Sequence, residues 1–158
     1  MENKVDISLN INSQRYDVSV ESRQTLADVI RQDCGLSGTH IGCEQGVCGS
    51  CTVVVDGDPV RSCLMFAVQA EGKKIKTIEG LATAEKLHPI QEAFSENHAL
   101  QCGFCTPGFI MLIEAYLEKN PEPNDDEIID ILSSNLCRCT GYQNIIKALK
   151  QIVADKSK

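Results

Sequence analysis

Nine cysteines in 158 residues constrain this chain more than any other feature, and their spacing constrains it further. Cys43, Cys48 and Cys51 are separated by four and then two residues, and Cys63 follows. Four thiolates that converge on two irons a few ångströms apart cannot come from one helix or strand, which would splay them. They need an irregular loop whose backbone N–H groups turn inward to offset the anionic sulfurs. Gly42, Gly46 and Gly49 suit such a loop, because glycine reaches positive φ and admits close backbone approach. The spacing C-x4-C-x2-C…C is that of a [2Fe–2S] ligand set. The plain alternative is a group of structural cysteines, but thiols seldom cluster in this way for packing alone.

Composition narrows the context. The length allows one good core or two small ones, and 42% hydrophobic residues make the chain globular. Lys+Arg 15 against Asp+Glu 22 gives a net charge of −7, a poor match for nucleic acid or an anionic membrane. No apolar run approaches the roughly 20 residues that span a bilayer. The N-terminal Met1–Asp6 has neither the basic nor the apolar region of a secretory signal, and a twin-arginine pair is absent. The expectation is a cytoplasmic protein, where disulfides are disfavoured and metal binding is the better reading of many cysteines. Nine divides as eight plus one. Cys102, Cys105, Cys137 and Cys139 make a second set, and Cys34 is left over as a small apolar residue at a helix end.

The order of elements predicts two regions. Val5–Ile11 and Arg15–Val20 alternate apolar and polar residues around an Asn12-Ser13 turn, as a hairpin does. Thr25 with Asp28 predicts a helix start, Leu26, Val29 and Ile30 its buried face, and Gly35 its end. After the cysteine loop come strand Thr52–Val55, the Asp56-Gly57 turn, strand Pro59–Cys63 and a last strand Lys74–Ile78. This order predicts a small mixed sheet crossed by one helix. Near Gly80 strands give way to helices, which divides the chain into residues 1–79 and 80–158. A short helix over 89–98 follows. The next has Thr106 as its cap with Pro107 in the first turn, and is apolar on nearly every side at Phe109–Ile113, so it should be a buried centre. Asn124 with Glu127 caps another helix, and Thr140 with Gln143 reads as a capping box for the last. The fold class is α+β, with a helical bundle as the second domain.

Cys102-Gly103-Phe104-Cys105-Thr106-Pro107-Gly108 and Cys137-Arg138-Cys139-Thr140-Gly141-Tyr142 read as a weak internal repeat, a close thiol pair ahead of a helix in each case. A helix N-terminus offers partial positive charge and free N–H groups, which favour thiolates and an anionic cluster. Two pairs would supply four ligands for a second [2Fe–2S] centre. A zinc site with four cysteine ligands is the rival reading of this half.

Three stretches then resemble a known family: Glu44–Thr52, Gln101–Gly108 and Asn135–Tyr142. Together, in this order, they are similar to the iron–sulfur subunit of molybdenum hydroxylases, the xanthine dehydrogenase family, over about residues 4 to 153. The first is shared with plant-type ferredoxins. The resemblance implies a β-grasp ferredoxin-like domain and a four-helix-bundle domain. It implies two [2Fe–2S] clusters, a proximal one on Cys102, Cys105, Cys137 and Cys139 and a distal one on Cys43, Cys48, Cys51 and Cys63. Gln101 matches a glutamine that contacts the pterin cofactor. The implied partners are a large molybdopterin-binding subunit and a medium FAD-binding subunit, in a dimer of heterotrimers.

The role expected from this is one-electron transfer between a molybdopterin site and FAD or another acceptor, within a multi-subunit oxidoreductase. A free-standing two-cluster carrier and a zinc-stabilised scaffold are the competing classes. Among other polar residues, Arg138 could tune a cluster or pair with a surface acid. His40 precedes Cys43 by three residues but is surplus as a ligand beside four thiols. His88 and His98 read as helix-flanking residues, and Glu44 and Gln45 as exposed loop residues.

Overall fold

A computed structural model describes residues 4–156, so Met1–Asn3 of the N-terminal stretch lie outside the described residues. Strands β1 (Lys4–Ile11) and β2 (Gln14–Glu21) pair antiparallel from Lys4↔Glu21 to Ile11↔Gln14. Their turn has Asn12 and Ser13 at φ 53° and 65°, the left-handed geometry that matches strand twist in two-residue hairpins. Alternation puts Ile7, Leu9 and Ile11 inside. The Thr25 hydroxyl accepts from the Asp28 amide and opens helix α1 (Leu26–Asp28). The helix then widens into a π-helical turn over Val29–Asp33.

Strands β3 (Thr52–Val55) and β4 (Asp58–Arg61) form the second hairpin, turning at Asp56 and Gly57, both at positive φ. The predicted strand Pro59–Cys63 ends early, because Ser62–Leu64 is a 3-10 turn that swings Cys63 inward. Strand β5 (Lys74–Lys76) lies between the hairpins, parallel to β1 and antiparallel to β3, and Ile78–Gly80 is again a 3-10 turn. The sheet order is β2-β1-β5-β3-β4. A mixed five-stranded sheet with α1 on one face is the expected β-grasp arrangement.

Helices α2 (Pro89–Glu96), α3 (Thr106–Lys119), α4 (Asp125–Ser133) and α5 (Gln143–Lys156) complete the chain. Each packs on two others, α2 and α4 both touching α3 and α5. The bundle core gathers Phe94, Phe109, Ile113, Ile128, Leu132, Ile145 and Leu149. Full burial of such side chains is worth about 1.5–3 kcal/mol each. Asn124 caps α4 as expected, its side chain accepting from the Asp126 and Glu127 amides while Glu127 accepts from the Asn124 amide. Two starts differ from expectation. The residue before α3 is Cys105, with Thr106 and Pro107 as its first two residues. Thr140 does not cap α5, because Gly141 and Tyr142 at φ 64° and 68° place a left-handed turn before Gln143.

The helical bundle meets the outer face of the sheet. Val53 and Val55 face the sheet core, whereas Val54, one residue out of phase, packs on Met111 and Ala115 of α3. A strand covered on both faces needs apolar residues at every position, and that explains the unbroken valine run. Both thiol sets lie along this contact between sheet and bundle. Among the described residues no helix is long and apolar enough to cross a membrane.

Candidate metal centres

The loop after residue 42 is shaped by Glu44, Gly46 and Gly49 at positive φ. It turns the amides of Gln45 and Cys48 onto Cys43 Sγ, each at 3.4 Å. These donors favour the thiolate and hold Cys43 down at about 7. The Cys48 thiol adds to this effect in a lesser way. Cys63 approaches Cys51, and both are buried. Burial, then the contact with Cys51, pushes the Cys63 thiol up to about 11, while the Gly46 amide pulls it back. Gly42 serves by the second of the two expected reasons, close approach. Its φ is not in the left-handed region, but an added Cβ would sit 3.2 Å from Cys48 Sγ and 3.3 Å from the Phe104 ring.

In the second set, Cys139 Sγ lies 3.6 Å from Cys102 Sγ, and both residues are exposed. Burial, then the neighbouring Cys137 thiol, pushes the Cys105 thiol up to about 12. Burial would also raise Cys137, but the Thr140 hydroxyl and amide and the Cys139 amide outweigh it and lower the thiol. The Thr140 hydroxyl is 3.1 Å from Cys137 Sγ and accepts from the Tyr142 amide, so it serves the sulfur rather than the helix end. The helical pattern puts Tyr142 on the apolar face of α5. In the structure its hydroxyl accepts from the Cys137 amide at 3.0 Å and donates to the Asn135 carbonyl, while its ring meets Phe109 edge-on. Neither role has a sequence signal beyond the short Thr-Gly-Tyr run after the last thiol.

Eight of the nine cysteines therefore fall into two groups, Cys43, Cys48, Cys51 and Cys63 in one and Cys102, Cys105, Cys137 and Cys139 in the other, and within the second Cys102 and Cys139 Sγ are 3.6 Å apart. Among the described residues, no three or more His, Cys, Asp or Glu side chains are grouped to hold a single metal ion. A zinc ion would draw four thiolates into one tetrahedron. Four thiols in each group also supply two ligands for each iron of a two-iron centre, so the donor sets fit [2Fe–2S] clusters. Cys34 packs against the sheet core, where burial raises its thiol to about 11. Gln101 is exposed beside Cys102.

The two sets are tied to each other. The Leu136 amide donates to the Cys48 carbonyl at 2.9 Å, and Asn135 Nδ2 donates to the Gly49 carbonyl at 3.3 Å. Arg61 reaches the Ser134 carbonyl at 2.7 Å. Gly108, in the first turn of α3, lies so close to the Gly49 backbone that an added Cβ would collide with the Gly49 oxygen.

Two family models match the chain, a 2Fe-2S iron–sulfur cluster binding domain over residues 9–82 and a [2Fe-2S] binding domain over residues 77–150. The nicotine 6-hydroxylase small subunit of Paenarthrobacter nicotinovorans is 52% identical over 146 residues, covering 92% of this chain and 88% of the relative. The caffeine dehydrogenase subunit gamma of Pseudomonas sp. (strain CBB1) is 53% identical over 149 residues, covering 92% and 89%. The chain belongs to the iron–sulfur subunits of the molybdenum hydroxylases.

A solved chain of quinoline 2-oxidoreductase from Pseudomonas putida 86 superposes on this iron–sulfur subunit with a TM-score of 0.92 at 52% identity, covering 98% of this chain and 96% of that one. Aldehyde oxidoreductase from Desulfovibrio gigas superposes at 0.90 with 38% identity, but there the match spans only 18% of the longer chain. The same unit thus occurs both as a separate subunit and as part of a larger polypeptide. Two [2Fe–2S]-binding domains on one chain give the iron–sulfur subunit two clusters and an electron-transfer role in an oxidoreductase complex with larger subunits.

Proposed function

We propose that Cys43, Cys48, Cys51 and Cys63 ligate the distal cluster and Cys102, Cys105, Cys137 and Cys139 the proximal one. The observation that carries this is the gathering of the eight thiols into two groups of four. When bound, each cluster takes up and releases one electron at a time. The protein's part is to hold and screen the sulfurs. The Gln45 and Cys48 amides stabilise negative charge at Cys43, and the Thr140 hydroxyl and amide do so at Cys137. The division at residues 79 and 80 is supported by separate apolar cores in sheet and bundle.

The partners proposed are a large molybdopterin-binding subunit and a medium FAD-binding subunit, in a dimer of heterotrimers in the cytoplasm. Exposed Gln101, beside the exposed Cys102, would face the pterin. The free-standing carrier is disfavoured, because the relatives covered over most of their length are named as subunits of hydroxylase and dehydrogenase complexes. The test is to purify the complex from its native source and identify the polypeptides and the cofactors released on denaturation. Molybdopterin and FAD released from separate larger chains are expected. A chain that purifies alone, with two clusters and no partner, would overturn the heteromeric reading.

A further inference from the structure

His40 is left unused by the two thiol sets, and the structure places it between them. Its Nδ1 lies 2.7 Å from the Phe104 carbonyl oxygen. A carbonyl only accepts, so Nδ1 carries the proton and donates. The imidazole also stacks on the Phe104 ring, with centroids 4.8 Å apart and planes 15° apart. Phe104 stands between Cys102 and Cys105, and its ring edge reaches Gly42, whose missing side chain leaves room for both that edge and Cys48 Sγ.

The Cys102–Cys105 segment has reason to need an outside hold. It is a turn, with Gly103 at φ 81°, ahead of α3. Cys102 is exposed, and so is Cys139, to which it is paired. Histidine at residue 40 grips the turn twice, once by main chain and once by ring face. A hydrogen bond fixes position along the carbonyl direction, and a stack fixes tilt. We infer that His40 is a positioning residue, clamping the Cys102–Cys105 turn against the Cys43–Cys48 side of the other centre and so setting the geometry of the proximal ligand set. This inference rests on the ligand assignment proposed above.

The experiment compares His40→Ala, His40→Phe and His40→Gln with the parent, all as the full chain in its complex. Phenylalanine keeps the stack and loses the donor; glutamine keeps a donor and loses the ring. Amide hydrogen exchange of residues 101–106 reads the clamp whether or not clusters are loaded. EPR and redox titration read the geometry at each centre. His40→Ala is expected to speed exchange in this turn, to change the proximal signal and its midpoint potential, and to leave the distal signal unchanged. The phenylalanine and glutamine variants should each recover part of the parent behaviour. Unchanged exchange and an unchanged proximal signal in His40→Ala would overturn the clamp. Absence of both iron signals in the parent would instead overturn the ligand assignment, with the exchange measurement still deciding the clamp.

Discussion

Replacing Lys76 by methionine tests the joint between sheet and bundle. Lys76, on β5, pairs with Glu114 and lies 3.6 Å from Glu118, both on α3. Glu114 is 6% exposed, and its Oε2 has no hydrogen-bond partner among the described residues. Burial pushes the Glu114 carboxyl above its ordinary value of 4.5, with Lys76 pulling it back. Burial opposes charge on Lys76 too, but the carboxylates outweigh it and raise the amine above 10.5. Methionine keeps the apolar stem and strands the carboxylate. Breaking a fully buried pair costs about 3–5 kcal/mol, and an exposed pair is worth up to about 1. Lys76 is 40% exposed, so an intermediate loss of about 2 kcal/mol is expected. For a chain of this size that is a fall of about 4–8 °C in thermal midpoint.

The pH dependence carries a sign. A carboxyl whose folded pKa is raised holds more protons folded than unfolded, so stability falls as pH rises from 4.5 through the folded value. Losing Lys76 extends that window upward. The deficit of Lys76→Met should therefore be full at pH 8 and shrink toward pH 5. Glu114→Gln should be close to neutral at pH 8, and the double variant should resemble Glu114→Gln alone. Thermal unfolding followed by circular dichroism at the two pH values provides the measurement. A deficit independent of pH, or a double variant worse than either single one, would refute the reasoning.

Cys43→Ser and Cys102→Ser should each remove one EPR signal, lower iron from about four to about two per chain, and stop turnover with the physiological acceptor. Gly49→Ala drives a Cβ into Asn135 Oδ1 at a residue with φ 73°. Left-handed strain and overpacking together should cost about 3 kcal/mol, read as a lower thermal midpoint with weaker retention of both clusters. Tyr142→Phe strands the Cys137 amide and should cost about 1–3 kcal/mol, with faster iron loss to a chelator from the proximal centre only.

The β-grasp half was legible because its signals are local. Asn12-Ser13 and Asp56-Gly57 announce their turns, Thr25 announces α1, and alternation gives the faces of β1. The thiol loop drew notice by its spacing, which is the one a two-iron ligand set dictates; its ligand role is the proposal made above. The π-helical turn at Val29–Asp33 was not legible, since the same apolar positions serve an α-helix. Thr140 illustrates a different failure. A threonine three residues before glutamine fits a capping box, but a sulfur in reach competes for the same hydroxyl, and only the fold brings Cys137 there. Gly108 reads as a tolerated glycine in a helix; its reason, the Gly49 carbonyl, is 59 residues away in sequence.

The contact between the two thiol sets shows why distant residues escaped. Three of its ties end on main chain or glycine: the Leu136 amide on the Cys48 carbonyl, the buried Asn135 side-chain amide on the Gly49 carbonyl, and Gly108 against Gly49. Ties of this kind leave little trace in hydrophobic pattern, yet they are stiff, because the main chain is fixed on both sides and Asn135 is fully buried. Stiffness suits the function. A chain that passes single electrons between two centres needs a fixed separation more than a tunable one, and a backbone seam supplies it. The exposed ends differ in kind. Cys102 and Cys139 are open to the surface with Gln101 beside them, whereas Cys51 and Cys63 are buried and the distal loop presents exposed Val47 instead. An exposed thiol pair with Gln101 beside it suits a subunit that covers it, which is what the proposed large subunit would do.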